Sequence, residues 1–232
     1  MDILGLQKRY EGLLPGEIVK AAFEDFRGDV ALISSFGADS VALLDLVAKI
    51  DKNALILFLD TKKHFKETYD YVERIRGLLG LTNLQFVYPD ENFEKNIDKS
   101  GDMWSVNPNK CCYYRKTLPL ENYVKKFGVR ALITGRKGYQ TKERSGLDNI
   151  ELDQETGVFK INPFADIGQE KFEILKKAGN LPIHPLYEKG YLSIGCEPCT
   201  AIVGKGEDPR SGRWSHTKNM KGGQKQECGI HL

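Results

Sequence analysis

Four short apolar runs, DVALISS (29–35), NALILFL (53–59), LQFVYP (84–89) and VRALITG (129–135), punctuate the first part of this chain, and each gap leaves room for a helix. Runs apolar on both faces suit parallel strands covered on both sides. The intervening segments carry the other period. Residues Gly16 to Arg27 place Ile18, Val19, Ala22, Phe23 and Phe26 on one stripe, and VALLDLVAKI, Glu67 to Leu79 and LENYVKKF repeat the pattern. The alternation predicts an α/β fold: a single doubly wound, mostly parallel sheet with helices on both faces. IELDQETGVFKINPF predicts a hairpin or an excursion turning at Glu155-Thr156-Gly157, and Lys171 to Ala178 a short helix. Beyond Asn180, Pro182, Pro185, Pro198 and Pro209 and many glycines predict loops and short helices, not a second domain. One domain is expected over 1–214. The end, 215–232, has little to bury and is expected to be a mobile tail.

Composition narrows the function. Of 232 residues, 41% are apolar and 28% charged, an ordinary globular balance. A net charge of +2 is too mild for nucleic acid as the default partner, though a local basic patch could still serve a small anion. No apolar run reaches the ~18 residues of a membrane span, and MDILGLQKRYEG lacks the pattern of a secretory leader. The expected compartment is the reducing cytoplasm, where paired cysteines more often hold metal or do chemistry than form structural disulfides.

Four groups of residues carry candidate chemistry. SSFGADS (Ser34, Ser35, Phe36, Gly37, Ala38, Asp39, Ser40) joins a strand to a helix, where small residues and a helix N-terminus suit an anion. An ordinary capped turn fits equally well. Asp60 and Thr61 stand at the C-terminal end of the second strand, the edge where open sheets bind ligands, and capping explains them as readily. Arg115 and Lys116, then Arg136, Lys137, Lys142 and Arg144, then Arg210 and Arg213 form three basic clusters suited to phosphate or sulfate oxygens. Five cysteines complete the set: the adjacent Cys111 and Cys112, Cys196 and Cys199 in CEPC, and Cys228 in a glycine-rich end with Lys221, Lys225 and His231 nearby. Adjacent cysteines suit a cubane, whose irons each take one thiolate, better than tetrahedral zinc. A zinc site and two redox-active pairs remain open on the residues alone. Cys228 fits a reactive thiol, or an incidental exposed one.

Nearly the whole chain resembles the iron–sulfur branch of the adenylylsulfate and phosphoadenylylsulfate reductases. SSFGADS is similar to their modified pyrophosphate (PP) loop, in the manner of the adenine nucleotide alpha hydrolases, and LDTKKHFKET to an LDTG-x-x-F-x-ET motif with Lys62 in place of glycine. CCYYRKTLPL, KINPFAD, HPLYEKGYLSIGCEPCT, GEDPRSGRW and ECGIHL match the later blocks in order. Two departures stand out. TGRKGYQTKER puts Lys137 and Gly138 where two arginines are usual and Tyr139 where aspartate is, and the end of the chain lacks the usual aromatic run.

The resemblance implies thioredoxin-dependent reduction of adenylylsulfate to sulfite and AMP, with Cys228 as the nucleophile and an S-sulfocysteine intermediate. It implies a [4Fe–4S] cluster on Cys111, Cys112, Cys196 and Cys199. It implies substrate contacts from Ser34, Ser35, Phe36, Gly37, Ser40, Asp60, Thr61, Lys116, Gly135, Arg144, Arg210, Arg213 and His231. Three rival functions are kept: a reductase that also takes phosphoadenylylsulfate, with Lys62 or Arg136 reaching the extra phosphate; an ATP-dependent sulfurtransferase; and a non-catalytic iron–sulfur redox module. The sequence leaves open whether the chain forms a homo-oligomer.

Overall fold

The structure, a computed structural model, describes residues 2–220, 225 and 227–231, with His231 described by its backbone alone. Eight helices are described: α1 Ile3–Tyr10, α2 Pro15–Asp25, α3 Ser40–Ile50, α4 Lys66–Leu79, α5 Met103–Val106, α6 Pro108–Cys112, α7 Leu118–Phe127 and α8 Gln169–Ala178. Six strands, β1 Val30–Ile33, β2 Leu55–Leu59, β3 Leu84–Val87, β4 Ala131–Ile133, β5 Ile150–Leu152 and β6 Phe159–Ile161, form one sheet in the order β3-β2-β1-β4-β6-β5. Every pairing is parallel except β5 with β6, where Ile150 lies opposite Ile161 and Leu152 opposite Phe159. The doubly wound sheet and the hairpin after residue 149 are as the apolar runs predict.

Alternation along each strand feeds two cores. Leu32, Ile56, Phe58, Ala131 and Ile133 pack with α2, α3 and α4, through Ile18, Val19, Val41, Leu44, Val47, Val72 and Ile75. Their neighbours Ala31, Leu57, Leu59 and Leu132 pack with Leu120, Tyr123 and Val124 of α7 on the other face. A buried aliphatic side chain contributes about 1.5–3 kcal/mol of transfer free energy. A turn rooted in these strands therefore rests on a well-anchored base.

Helix α1 precedes the first helix expected from the sequence, although Ile3, Leu6 and Tyr10 recur there at helical spacing. Asp2 caps it, its carboxylate accepting from the N–H groups of Leu4 and Gly5 at 3.2 Å each. Leu6 and Tyr10 are buried, and the helix packs on the outer strand β5. The cysteine pair ends α6, which Asn107 caps at Lys110 N–H (3.0 Å). One π-helical turn, Tyr113–Thr117, then carries the chain into α7 and presents Arg115 and Lys116.

Beside β1 the sheet runs one way to β2 and the other way to β4. Between the C-terminal ends of β1 and β4 the connections diverge, and such a switch point opens a crevice for ligands.

Candidate active site

The turn after β1 is built from its own small residues. Ser34 N–H continues the ladder to Leu57 O (3.1 Å). Ser34 Oγ accepts from Phe36 N–H (3.2 Å), and Ser40 Oγ accepts from Gly37 N–H (3.0 Å). Phe36 takes a left-handed φ of +48° and sends its ring down onto Phe58, edge to face at 5.7 Å. It thus anchors the turn from below. Asp39 is clasped by Lys137 (3.0 Å) and Lys176 (2.8 Å). Burial alone would raise its carboxyl, but the two ammonium groups outweigh it and hold the group below the usual carboxylate range.

A cavity of about 230 Å³ opens at the switch point. Ser34, Ser35, Gly37 and Ser40 line it from β1, and Gly135 from the end of β4. Lys116, Arg144, Arg210 and Arg213 line it as well, and so does Cys228. Residues spread over almost 200 positions of the sequence meet there.

The cations are held in different ways. Arg144 engages all three of its nitrogens: Nε and Nη2 donate to the two carboxylate oxygens of Glu227 (2.6 and 2.7 Å), and Nη1 to Gln140 Oε1 (2.6 Å). Arg210 stands 3.8 Å from the same carboxylate. Arg213 stacks on Trp214, its guanidinium carbon 4.5 Å from the ring centre, and lies against Gly195, where a methyl group would collide with it. Burial disfavours the charge of Lys116, but Cys196, Cys228 and Cys112 more than restore it and raise the ammonium above its ordinary value. Arg115 is buried and committed to structure, donating to Thr61 O (3.0 Å), Glu94 (2.9 Å) and Asp98 (2.6 Å).

Cys228 is buried on the cavity wall. The neighbouring Cys112 thiol lowers its pKa most, and although burial opposes ionisation, Lys116, the Ile230 N–H and Lys225 act in the same direction. Cys228 is therefore held below the usual thiol range, while Cys112 is pushed up. A thiolate is the nucleophilic form of cysteine.

The expected [4Fe–4S] cofactor is overturned. Among the described residues no group of three or more His, Cys, Asp or Glu side chains could hold a metal ion. Cys196 Sγ lies 3.2 Å from Thr61 Oγ1, Cys112 packs with Cys228 and Trp214, and all four thiols line one small pocket. The ligand set Cys111, Cys112, Cys196 and Cys199, the metal-binding and iron–sulfur description, and the placement in the iron–sulfur branch are corrected accordingly. All five cysteines are free thiols.

Three other expected contacts lie elsewhere. Phe36, Asp60 and Thr61 are buried and do not line the cavity. Asp60 Oδ1 accepts from Lys62 N–H (2.8 Å) and Tyr69 OH (2.7 Å), and so holds the turn after β2. The side chain of His231 lies outside the described residues, as do several positions of the expected tail. Of that tail, Ser215–Thr217 form a 3-10 turn, and Glu227 and Cys228 are buried.

The cavity also has walls that sequence reasoning did not assign. His64 donates from Nε2 to Leu59 O (3.1 Å), and burial pushes its ring down to about 4, so it lines the site as a neutral imidazole. Glu227 and Gln140 enter through Arg144. Only the position of Glu227 beside Cys228 hinted at it, since its partner is 83 residues away.

Such a crevice, with an anion-ready turn, a basic wall and a thiol facing that wall, defines a nucleotide-type site with a candidate nucleophilic cysteine. The sequence signature of the phosphoadenosine phosphosulfate reductase domain matches residues 29–202. The adenosine 5'-phosphosulfate reductase of Mesorhizobium japonicum is 43% identical over 98% of this chain and 86% of its own. That of Oceanobacillus iheyensis is 38% identical over 93% of this chain and 87% of its own. A crystal structure of phosphoadenylyl-sulfate reductase from Candida auris, in a phosphate complex, superposes with a TM-score of 0.72 at 28% identity, covering 87% of this chain and 96% of that one. Candida glabrata FMN adenylyltransferase shares the fold (TM-score 0.59, 16% identity, 89% of this chain and 68% of that one). The chain belongs to the phosphoadenosine phosphosulfate reductase domain family and is an oxidoreductase. No helix among the described residues is long and apolar enough to cross a membrane.

Proposed function

We propose that this chain reduces adenylylsulfate to sulfite and AMP through a covalent intermediate on Cys228. The observation that carries the reading is the meeting of a buried Cys228 with the Ser34–Ser40 turn and with Lys116, Arg210 and Arg213 in one cavity. The names borne by the relatives support the choice of adenylylsulfate.

The Cys228 thiolate attacks the sulfate sulfur. The S–O bond to the phosphate breaks, and AMP leaves with the electron pair. The product on the protein is an S-sulfocysteine. Charge shifts toward the leaving phosphate in this step, and Lys116, Arg210 and Arg213 are placed to stabilise it. The leaving phosphate is weakly basic, so the step needs no general acid. The neutral ring of His64 fits that requirement, because burial keeps it out of the imidazolium form at neutral pH and its Nε2–H is engaged by Leu59 O. A reduced dithiol protein, thioredoxin by its chemistry, then attacks the Cys228 sulfur and releases sulfite, and its second thiol closes the resulting mixed disulfide. The reaction belongs in a reducing compartment, the cytoplasm, consistent with five free thiols.

The test is sulfite release with reduced thioredoxin, adenylylsulfate against phosphoadenylylsulfate. The reading expects adenylylsulfate to be preferred by at least about tenfold in kcat/KM, or about 1.4 kcal/mol. Equal rates would replace it with dual specificity, and sulfite from neither would overturn it.

A further inference from the structure

Arg144 is the best-matched anion receptor in the cavity, and its fork is already filled. Both carboxylate oxygens of Glu227 sit on it, at 2.6 and 2.7 Å, with Thr141 Oγ1 adding a longer bond at 3.4 Å. Arg210 shares the same carboxylate at 3.8 Å. Pairing of a planar carboxylate with a guanidinium through two parallel bonds is the geometry the same guanidinium would offer to phosphate or sulfate oxygens. Glu227 is itself buried, with its carboxyl held below the ordinary range by Arg144 and Arg210 against the cost of burial. It is also the residue immediately before the nucleophile.

Glu227 and Cys228 stand in the wall of the same cavity as the Ser34–Ser40 turn.

We propose that Glu227 is a positioning residue that occupies the substrate's anion place on Arg144, so that substrate enters by exchange with the carboxylate and thereby frees Cys228 to move onto the sulfur. The inference rests on the function proposed above, since it takes Arg144 as a receptor for the substrate's anionic group. In the resting protein the pair keeps the thiol sheltered. When a phosphate or phosphosulfate takes the fork, the carboxylate leaves, and the segment loses its tie to Arg144.

The experiment compares wild type with Glu227→Gln and Glu227→Asp in two measurements: the rate of Cys228 alkylation by iodoacetamide, followed on its peptide by mass spectrometry, and AMP binding by calorimetry. In the wild type, AMP should accelerate Cys228 alkylation by about tenfold, the size of effect that a ligand-driven shift between two states allows. Glu227→Gln should be alkylated about that much faster without ligand, gain little from AMP, and bind AMP several-fold more tightly, because no competing carboxylate remains. Glu227→Asp, which keeps the charge, should return toward wild type in both. Protection of Cys228 by AMP in the wild type, or unchanged alkylation and AMP affinity in Glu227→Gln, would overturn the exchange. If AMP binds neither protein, the proposed substrate class fails, and the ligand-free alkylation rates still decide whether Glu227 holds the segment.

Discussion

The Ser34–Ser40 turn and the Glu227–Ile230 segment line the same cavity but are secured by different physics. The turn follows a central strand packed on both faces, and its polar groups are satisfied within seven residues, by Ser34 Oγ and Ser40 Oγ. The segment near the end owes its place to contacts far away in sequence: Glu227 on Arg144, Ile230 against the α7 face of the sheet, and Cys228 on Cys112. One wall is part of the folding core, and the other joins it through the Glu227–Arg144 ion pair and the packing of Cys228 and Ile230. The ion pair is the part that a substrate anion can displace, which assigns rigidity to the nucleotide side and exchange to Glu227.

Neutralising Lys116 should have the largest effect, because it strips the basic wall of a charge that faces Cys228. Lys116→Met should lower kcat/KM by about 10²–10³, or roughly 3–4 kcal/mol of transition-state stabilisation, with an unchanged unfolding midpoint. A loss of less than about threefold would mean that the basic wall does not act on the reaction.

Acid should reach the sheet side next. His184 is fully buried and neutral: Leu186 N–H donates to its Nδ1 (3.2 Å), and its Nε2–H donates to Thr68 Oγ1 (3.1 Å). Burial pushes it down to about 4, against roughly 6.5 in the unfolded chain. Between these values the unfolded chain binds a proton that the folded one refuses. Stability is therefore complete above about pH 6.5 and falls as pH drops toward 4, by about 3 kcal/mol in all. His64 is pushed down to about 4 as well, so His184→Asn should remove only part of the slope of urea midpoint against pH. A slope identical to wild type would contradict the assignment.

The smallest effect should be on the turn itself. Ser40→Ala deletes the acceptor for Gly37 N–H and should cost about 1 kcal/mol. Weakened AMP binding with Cys228 alkylation unchanged would sharpen the contrast between the two walls. Altered alkylation would blur it.

The sequence made the rigid wall legible. Apolar runs of strand length, spaced by helical stripes, predict the sheet, and a turn of serines and glycine at the end of β1 predicts where the cavity opens. The basic residues Lys116, Arg144, Arg210 and Arg213 and the thiol Cys228 do converge there. Pairings across long separations were not legible. Asp39 reaches Lys137 and Lys176, 98 and 137 residues on, and nothing local marks them as partners. The departures from the family pattern acquire physical reasons only in three dimensions. At Gly138, where arginine is usual, a Cβ would come within 2.6 Å of Ala165 O, so this backbone admits only glycine without shifting. Lys62 replaces the usual glycine yet keeps its left-handed φ of +57°, and an ion pair from its ammonium to Glu94 (2.5 Å) accompanies that strain. The cysteines misled for a related reason. Spacing in sequence suggested four ligands for one cluster, while among the described residues no group of three or more His, Cys, Asp or Glu side chains could hold a metal ion.

The central claim is that Cys228 itself takes the sulfonyl group. Protein reduced, freed of dithiol and mixed with adenylylsulfate should stop after one turnover, and mass spectrometry should find one SO3 group on the peptide that carries Cys228. Added thioredoxin should then remove it with release of one sulfite, and Cys228→Ser should carry none while still binding AMP. Sulfite release without that adduct, or full turnover by Cys228→Ser, would contradict the account.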